Sequence, residues 1–180
     1  MSVALFQDAE MFLQKWAPLH EPRWRLWLRL LFATPGFQFV FWLRMQRAVE
    51  VVPILGPTLR RILWYWTRIC FSCEVDTQAQ IGAGFYTPHP LGIVIGAGVR
   101  IGNNVTISQK VTLGRAGTNH VYPTIGNGVE IGAGAAILGA IEIGNSAKIG
   151  ANSVVLTDIP TDAIAFGAPA RVIHHLADKE

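Results

Sequence analysis

From Val75 onward an apolar residue recurs at every sixth position, most often with a small residue behind it. The pairs run Ile81-Gly82, Ile95-Gly96, Ile101-Gly102, Ile107-Ser108 and Leu113-Gly114, then Ile125-Gly126, Ile131-Gly132, Ile137-Leu138, Ile143-Gly144 and Ile149-Gly150. A period of six is neither the two of a half-buried strand nor the 3.6 of an amphipathic helix. Self-similarity at a fixed period signals a solenoid, and a hexapeptide period signals a parallel β-helix. Each hexad supplies one short strand and one corner, three hexads close a triangular coil, and stacked coils bury what a single coil exposes. Val99, Val105, Val111, Val129, Ala135, Ile141, Ala147 and Ser153, four residues after the first set, provide a second inward position. The small residue at each corner suits a place where a Cβ would meet neighbouring backbone.

The period is interrupted twice. Ile81 and Ile95 stand two residues further apart than two hexads allow, and the extra residues lie in YTPHPLG. Between Leu113 and Ile125 the segment GRAGTNHVYPT has Asn119 where an inward apolar residue belongs, which predicts an extruded loop over 114–124. Interruptions of a regular scaffold are where function concentrates.

Residues 1–73 have another texture. They hold all six tryptophans, with leucine and arginine interleaved, and prolines at 18, 22, 35, 53 and 57 divide them into helix-sized pieces. Helices are predicted over about 4–16, 23–33, 36–51 and 55–71. The division is therefore an α-helical segment 1–73, a β-helix domain 74–173 and a tail 174–180. The fold class is mainly β, with a small helical segment in front.

Half the chain is hydrophobic and 15% is charged, which separates it from disordered compositions. The net charge of +3 is unevenly distributed: residues 1–73 carry nine Lys/Arg against four Asp/Glu, and the remainder six against eight. No nucleic-acid partner is expected. The basic, tryptophan-rich front fits core and subunit packing, and also peripheral contact with an anionic membrane. Arg44, Arg47, Glu50, Arg60, Arg61 and Arg68 interrupt every apolar stretch, so no spanning helix is expected. The acidic start lacks the pattern of a signal peptide, which together with only two cysteines points to the cytoplasm. Cys70 and Cys73 form one CFSC pair with no second pair to complete a metal site, and no metal is expected.

The two halves in this order resemble serine acetyltransferases and their short relatives in polysaccharide clusters, the hexapeptide-repeat acyltransferases. EPRWRLWLRLLFATPGFQ, the HPLGIVIG that follows IGAGF, ISQKVTLG, IGAGAAILGAIEIGNSAKIGANSVV and GAPARV carry the resemblance, which covers about Glu21 to Arg171. It implies a left-handed coil, a homotrimer with active sites between subunits, and acetyl-CoA lying along the coil edges.

By the same resemblance His89 is the catalytic base, Glu21, His120 and Tyr122 bind the acceptor, and Gly114, Ala133, Lys148, Ala151 and Arg171 bind acetyl-CoA. The chemistry suits these types. A hydroxyl becomes an effective nucleophile as a base removes its proton, and histidine titrates in the right range. Backbone and small residues admit a ligand closely, and cations hold phosphates. The departures from the family pattern are as informative. Pro88 stands where serine acetyltransferases place an aspartate beside the histidine, and Val121-Tyr122 replaces an Arg-His pair. Both changes remove groups suited to serine's ammonium and carboxylate, so the sequence favours a sugar hydroxyl of an exopolysaccharide or its precursor. Serine O-acetyltransfer is the alternative, and an inactive hexapeptide scaffold the non-enzyme alternative. A carbonic anhydrase-like site would need several converging histidines, and only His89 and His120 are available.

Overall fold

The computed structural model describes residues 2–16, 22–118 and 120–175. Four helices come first: α1 (Ser2–Trp16), α2 (Arg23–Ala33), α3 (Pro35–Val49) and α4 (Gly56–Phe71). Proline sets three of their starts. Pro22 precedes α2, Pro35 opens α3 and Pro57 lies in the first turn of α4, positions where its missing N–H costs nothing. The Pro35-Gly36 break bends α2 against α3 by 78°. Ser72 closes α4 in the left-handed conformation, with its N–H bonded to the Arg68 carbonyl, and the first strand follows directly. Among the described residues no single helix is long and apolar enough to cross a membrane.

From Glu74 the chain winds as a parallel β-helix with three faces. The first carries Glu74–Val75, Val94–Ile95, Thr112–Gly114, Ala136–Leu138 and Val154–Val155. The second carries Gln80–Ile81, Arg100–Ile101, Thr124–Ile125 and Glu142–Ile143. The third carries Thr106–Ile107, Glu130–Ile131, Lys148–Ile149 and Ala163–Gly167, on which Ala170–His175 folds back as an antiparallel hairpin. Both inward sets named from the period are buried, from Val99 and Val105 to Ala147 and Ser153; only Ile81 of the first set stays half-buried.

The register shows the interruptions directly. Val94 pairs with Thr112 and Ala136 with Val154, three hexads apart. Glu74 pairs with Val94 two residues later than that, and Thr112 with Ala136 six residues later. The extra length is expelled at corners, so the ladders above and below stay aligned.

Two expectations are corrected. Gly114 ends one strand and Thr124 starts the next, so the excursion is 115–123, and Asn119 lies outside the described residues. The final strand reaches His175, two residues beyond the boundary set at 173, because the hairpin adds cross-strand pairs that hexad counting does not contain. The expected role of the small residue behind the inward isoleucines, keeping a Cβ from meeting neighbouring backbone, is met where the coils stack. A Cβ on Gly132 would stand 2.6 Å from the Ala151 nitrogen of the next coil. The left-handed residues come later in the corner, at Asn104, Lys110, Ser146 and Asn152.

Candidate functional site

His89 lies at the corner where the chain passes from the third face to the first, inside the two-residue insertion. The helical segment holds that insertion from behind. Asp8 of α1 is fully buried and accepts the Phe85 N–H at 2.9 Å. The Phe12 ring meets Tyr86 edge-on at 4.6 Å between centroids. Gly36 at the start of α3 packs so closely on Thr87 that an added Cβ would collide with the Thr87 carbonyl. His89 itself is exposed and lines a cavity of about 930 Å³ with Gln38, Trp42, Trp66, Cys70 and Leu91. No side chain among the described residues bonds its ring, so none of them replaces the missing aspartate. Apart from His89, the described lining of this cavity carries no ionisable side chain other than Cys70 and Tyr86. Burial pushes the Tyr86 phenol above its ordinary range.

Below His89 the same corner continues coil by coil through backbone bonds. Lys110 N–H donates to the Leu91 carbonyl, Gly134 N–H to Gln109 and Asn152 N–H to Ala133, at 2.8, 2.9 and 2.8 Å. Ala133 and Ala151 therefore stand in line with His89 on one edge. Lys148 precedes that edge, and its ammonium is held 3.5 Å from Glu130, which also meets Lys15 at 3.6 Å. Arg171 is exposed on the closing hairpin.

Gly114, His120 and Tyr122 are elsewhere. They line a second cleft, of about 960 Å³, at the corner where the chain leaves the first face. The Tyr122 ring rests on Gly96 and Gly98, and a Cβ on Gly96 would stand 2.5 Å from it. Arg115 Nη1 lies 3.3 Å from His120 Nδ1. Guanidinium only donates, so this contact is a hydrogen bond only with Nδ1 as acceptor. One chain thus carries two cavities on opposite edges of its first face, and the structure does not bring Gly114 to the edge holding Ala133 and Ala151. Glu21 lies outside the described residues.

Reading the sequence missed Gln38 and Trp66 of the first cavity, and Arg61 and Arg115 of the second cleft. None belongs to the hexad pattern, and only folding brings them to the corners. No group of three His, Cys, Asp or Glu that could hold a metal ion occurs among the described residues.

The parallel β-helix places the chain among hexapeptide-repeat proteins, and residues 122–157 match the family described as bacterial transferase hexapeptide (six repeats). The serine acetyltransferase of Synechococcus elongatus is 38% identical over 162 residues, covering 86% of this chain and 63% of that protein. That of Helicobacter pylori is 44% identical over 117 residues, covering 64% and 68%. A solved serine acetyltransferase in complex with CoA superposes with a TM-score of 0.79 at 36% identity, covering 95% of this chain and 68% of that one. The chain belongs to the serine acetyltransferase family. It spans less than two thirds of the length of the Synechococcus relative.

Proposed function

We propose that this protein transfers the acetyl group of acetyl-CoA to a hydroxyl, with His89 as general base. The observation that carries the reading is the exposed His89 ring at the mouth of a ligand-sized cavity, in line with the stacked Ala133 and Ala151 corner. In this reading the thioester lies along that edge. His89 removes the acceptor's proton as its oxygen attacks the carbonyl, and CoA leaves as the thiol. Lys148 and Arg171 serve the CoA phosphates once Glu130 shares or releases Lys148.

The comparisons reverse the order in which the sequence ranked the acceptors. L-serine comes first, because the relatives and the solved structures carry serine acetyltransferase in their names. A sugar hydroxyl is the second reading, favoured by one observation: the described lining of the His89 cavity is aromatic and offers no salt-bridge partner for serine's ammonium or carboxylate. Glu21 and the loop side chains His120 and Tyr122 then supply acceptor contacts from a neighbouring copy. This division suits a homotrimer, since the two cavities lie on opposite edges of one sheet. The reading also keeps the protein in the cytoplasm. The exposed Trp24, Phe32 and Ile54, with arginines around them, suit peripheral contact with an anionic inner-membrane surface.

The test is CoA-thiol release from acetyl-CoA with serine and with glycans as separate acceptors. Acceptor-dependent release that His89→Ala lowers by about 10²-fold or more supports the reading. Release unchanged by His89→Ala removes it.

A further inference from the structure

The second cleft has a chemistry that acetyl transfer alone does not require. Its cations come from two distant parts of the chain, Arg60 and Arg61 from α4 and Arg115 from the excursion. Arg60 is satisfied by Glu50 at 2.6 Å, and the cleft's Glu74 by Arg68 at 3.3 Å. Among the described residues Arg61 has no hydrogen-bond or ion-pair partner, and Arg115 meets the His120 ring but no carboxylate. Two guanidiniums thus face one cavity without a carboxylate on either. Asp76 lines the same cleft and keeps acceptor capacity beyond its bond from the Gln78 N–H. Tyr65, half exposed, and the Tyr122 ring packed on Gly96 and Gly98 line the same cleft.

We infer that this cleft binds a phosphorylated sugar. A phosphate, with a charge of about −1.5 to −2 and three acceptor oxygens, satisfies two guanidiniums arriving from different directions. A pyranose presents an apolar face to an aromatic ring, which Tyr65 and Tyr122 supply, and hydroxyls to a free carboxylate, which Asp76 supplies. The volume of about 960 Å³ exceeds what an amino acid occupies and suits a sugar phosphate, free or nucleotide-linked. As a binding site this stands alone. As the place where an acceptor docks, it rests on the acetyl-transfer reading above.

The experiment is calorimetric titration of the full chain with glucose 1-phosphate, and with glucose, inorganic phosphate and CoA as separate arms. Glucose 1-phosphate binds, glucose and phosphate each bind at least about tenfold more weakly, and Arg61→Gln and Arg115→Gln each weaken binding by about tenfold. Gly98→Ala, a substitution its backbone permits, displaces Tyr122 and weakens glucose 1-phosphate while leaving inorganic phosphate unchanged. Absence of binding, binding indifferent to both arginine substitutions, equal binding of phosphate alone, or competitive displacement by CoA each overturns the inference. CoA release with serine, measured on the same samples, separates the two ideas. Release without glucose 1-phosphate binding sinks this site alone, and binding without release to any hydroxyl sinks the acetyl-transfer reading alone.

Discussion

Asp8 and Arg44 form a buried bidentate pair, Nε to Oδ2 at 2.8 Å and Nη2 to Oδ1 at 3.0 Å, that ties helices α1 and α3 to the first coil of the β-helix. Arg44 also donates to the carbonyls of Ile81 and Gly82, at 2.8 and 2.5 Å, and Asp8 accepts from Phe85. All of these bonds converge on the strand that leads into the insertion carrying His89. A buried pair in which each nitrogen and each carboxylate oxygen has a hydrogen-bond partner holds geometry even where its net contribution to stability is small.

Breaking one side of that pair leaves a buried charge unpaired. Asp8→Asn is expected to lower unfolding stability by about 3–5 kcal/mol, read by urea denaturation. A loss under about 1 kcal/mol would show that the helices are not locked to the coil through this contact.

Gly36 is the closest approach between α3 and the insertion. Gly36→Ala places a methyl against the Thr87 carbonyl and 2.8 Å from the Phe12 ring, so α3 or the insertion must move. The expected cost is about 1–3 kcal/mol, with a fall in kcat at nearly constant KM for acetyl-CoA. Stability that falls while kcat holds would mean that α3 does not position His89.

The two cysteines should react very differently. Cys73 is buried, and desolvation raises its thiol above the ordinary range, outweighing the N–H groups of Ile93 and Gly92 that pull it down. Cys70 is exposed. Iodoacetamide at neutral pH is expected to label Cys70 and spare Cys73, as read by mass spectrometry.

A thiol raised in the folded state stabilises the fold fully below its unfolded value, and that stability is lost as pH rises through the folded one. Tyr86 shifts in the same direction for the same reason. The thermal midpoint should therefore decline above about pH 8.5, and Cys73→Ala should remove the earlier part of the decline. A midpoint that is flat to pH 10.5 would contradict this.

Glu130 holds Lys148 away from free solution by a half-exposed ion pair worth less than about 1 kcal/mol. Glu130→Gln should scarcely change stability and should tighten CoA binding a few-fold, more so at low salt. CoA affinity unchanged in both Glu130→Gln and Lys148→Gln would remove Lys148 from the donor site.

The six-residue period by itself determined the parallel β-helix, the buried set from Val99 to Ser153, and the two places where the coil is interrupted. It could do so because strand, corner and inward side chain all fall within one hexad, and local spacing then dictates each. The period also showed that His89 lies inside an interruption, while its role as base came from the family resemblance and not from the spacing. The tertiary structure decided what no spacing contains. His89 and the Gly114–Tyr122 group stand on opposite edges of one face, Lys148 is engaged by Glu130, and Arg61 joins Arg115 across 53 intervening residues. Those relations depend on which corner each excursion occupies and how α4 packs above the first face, and contacts between residues far apart in the chain set both.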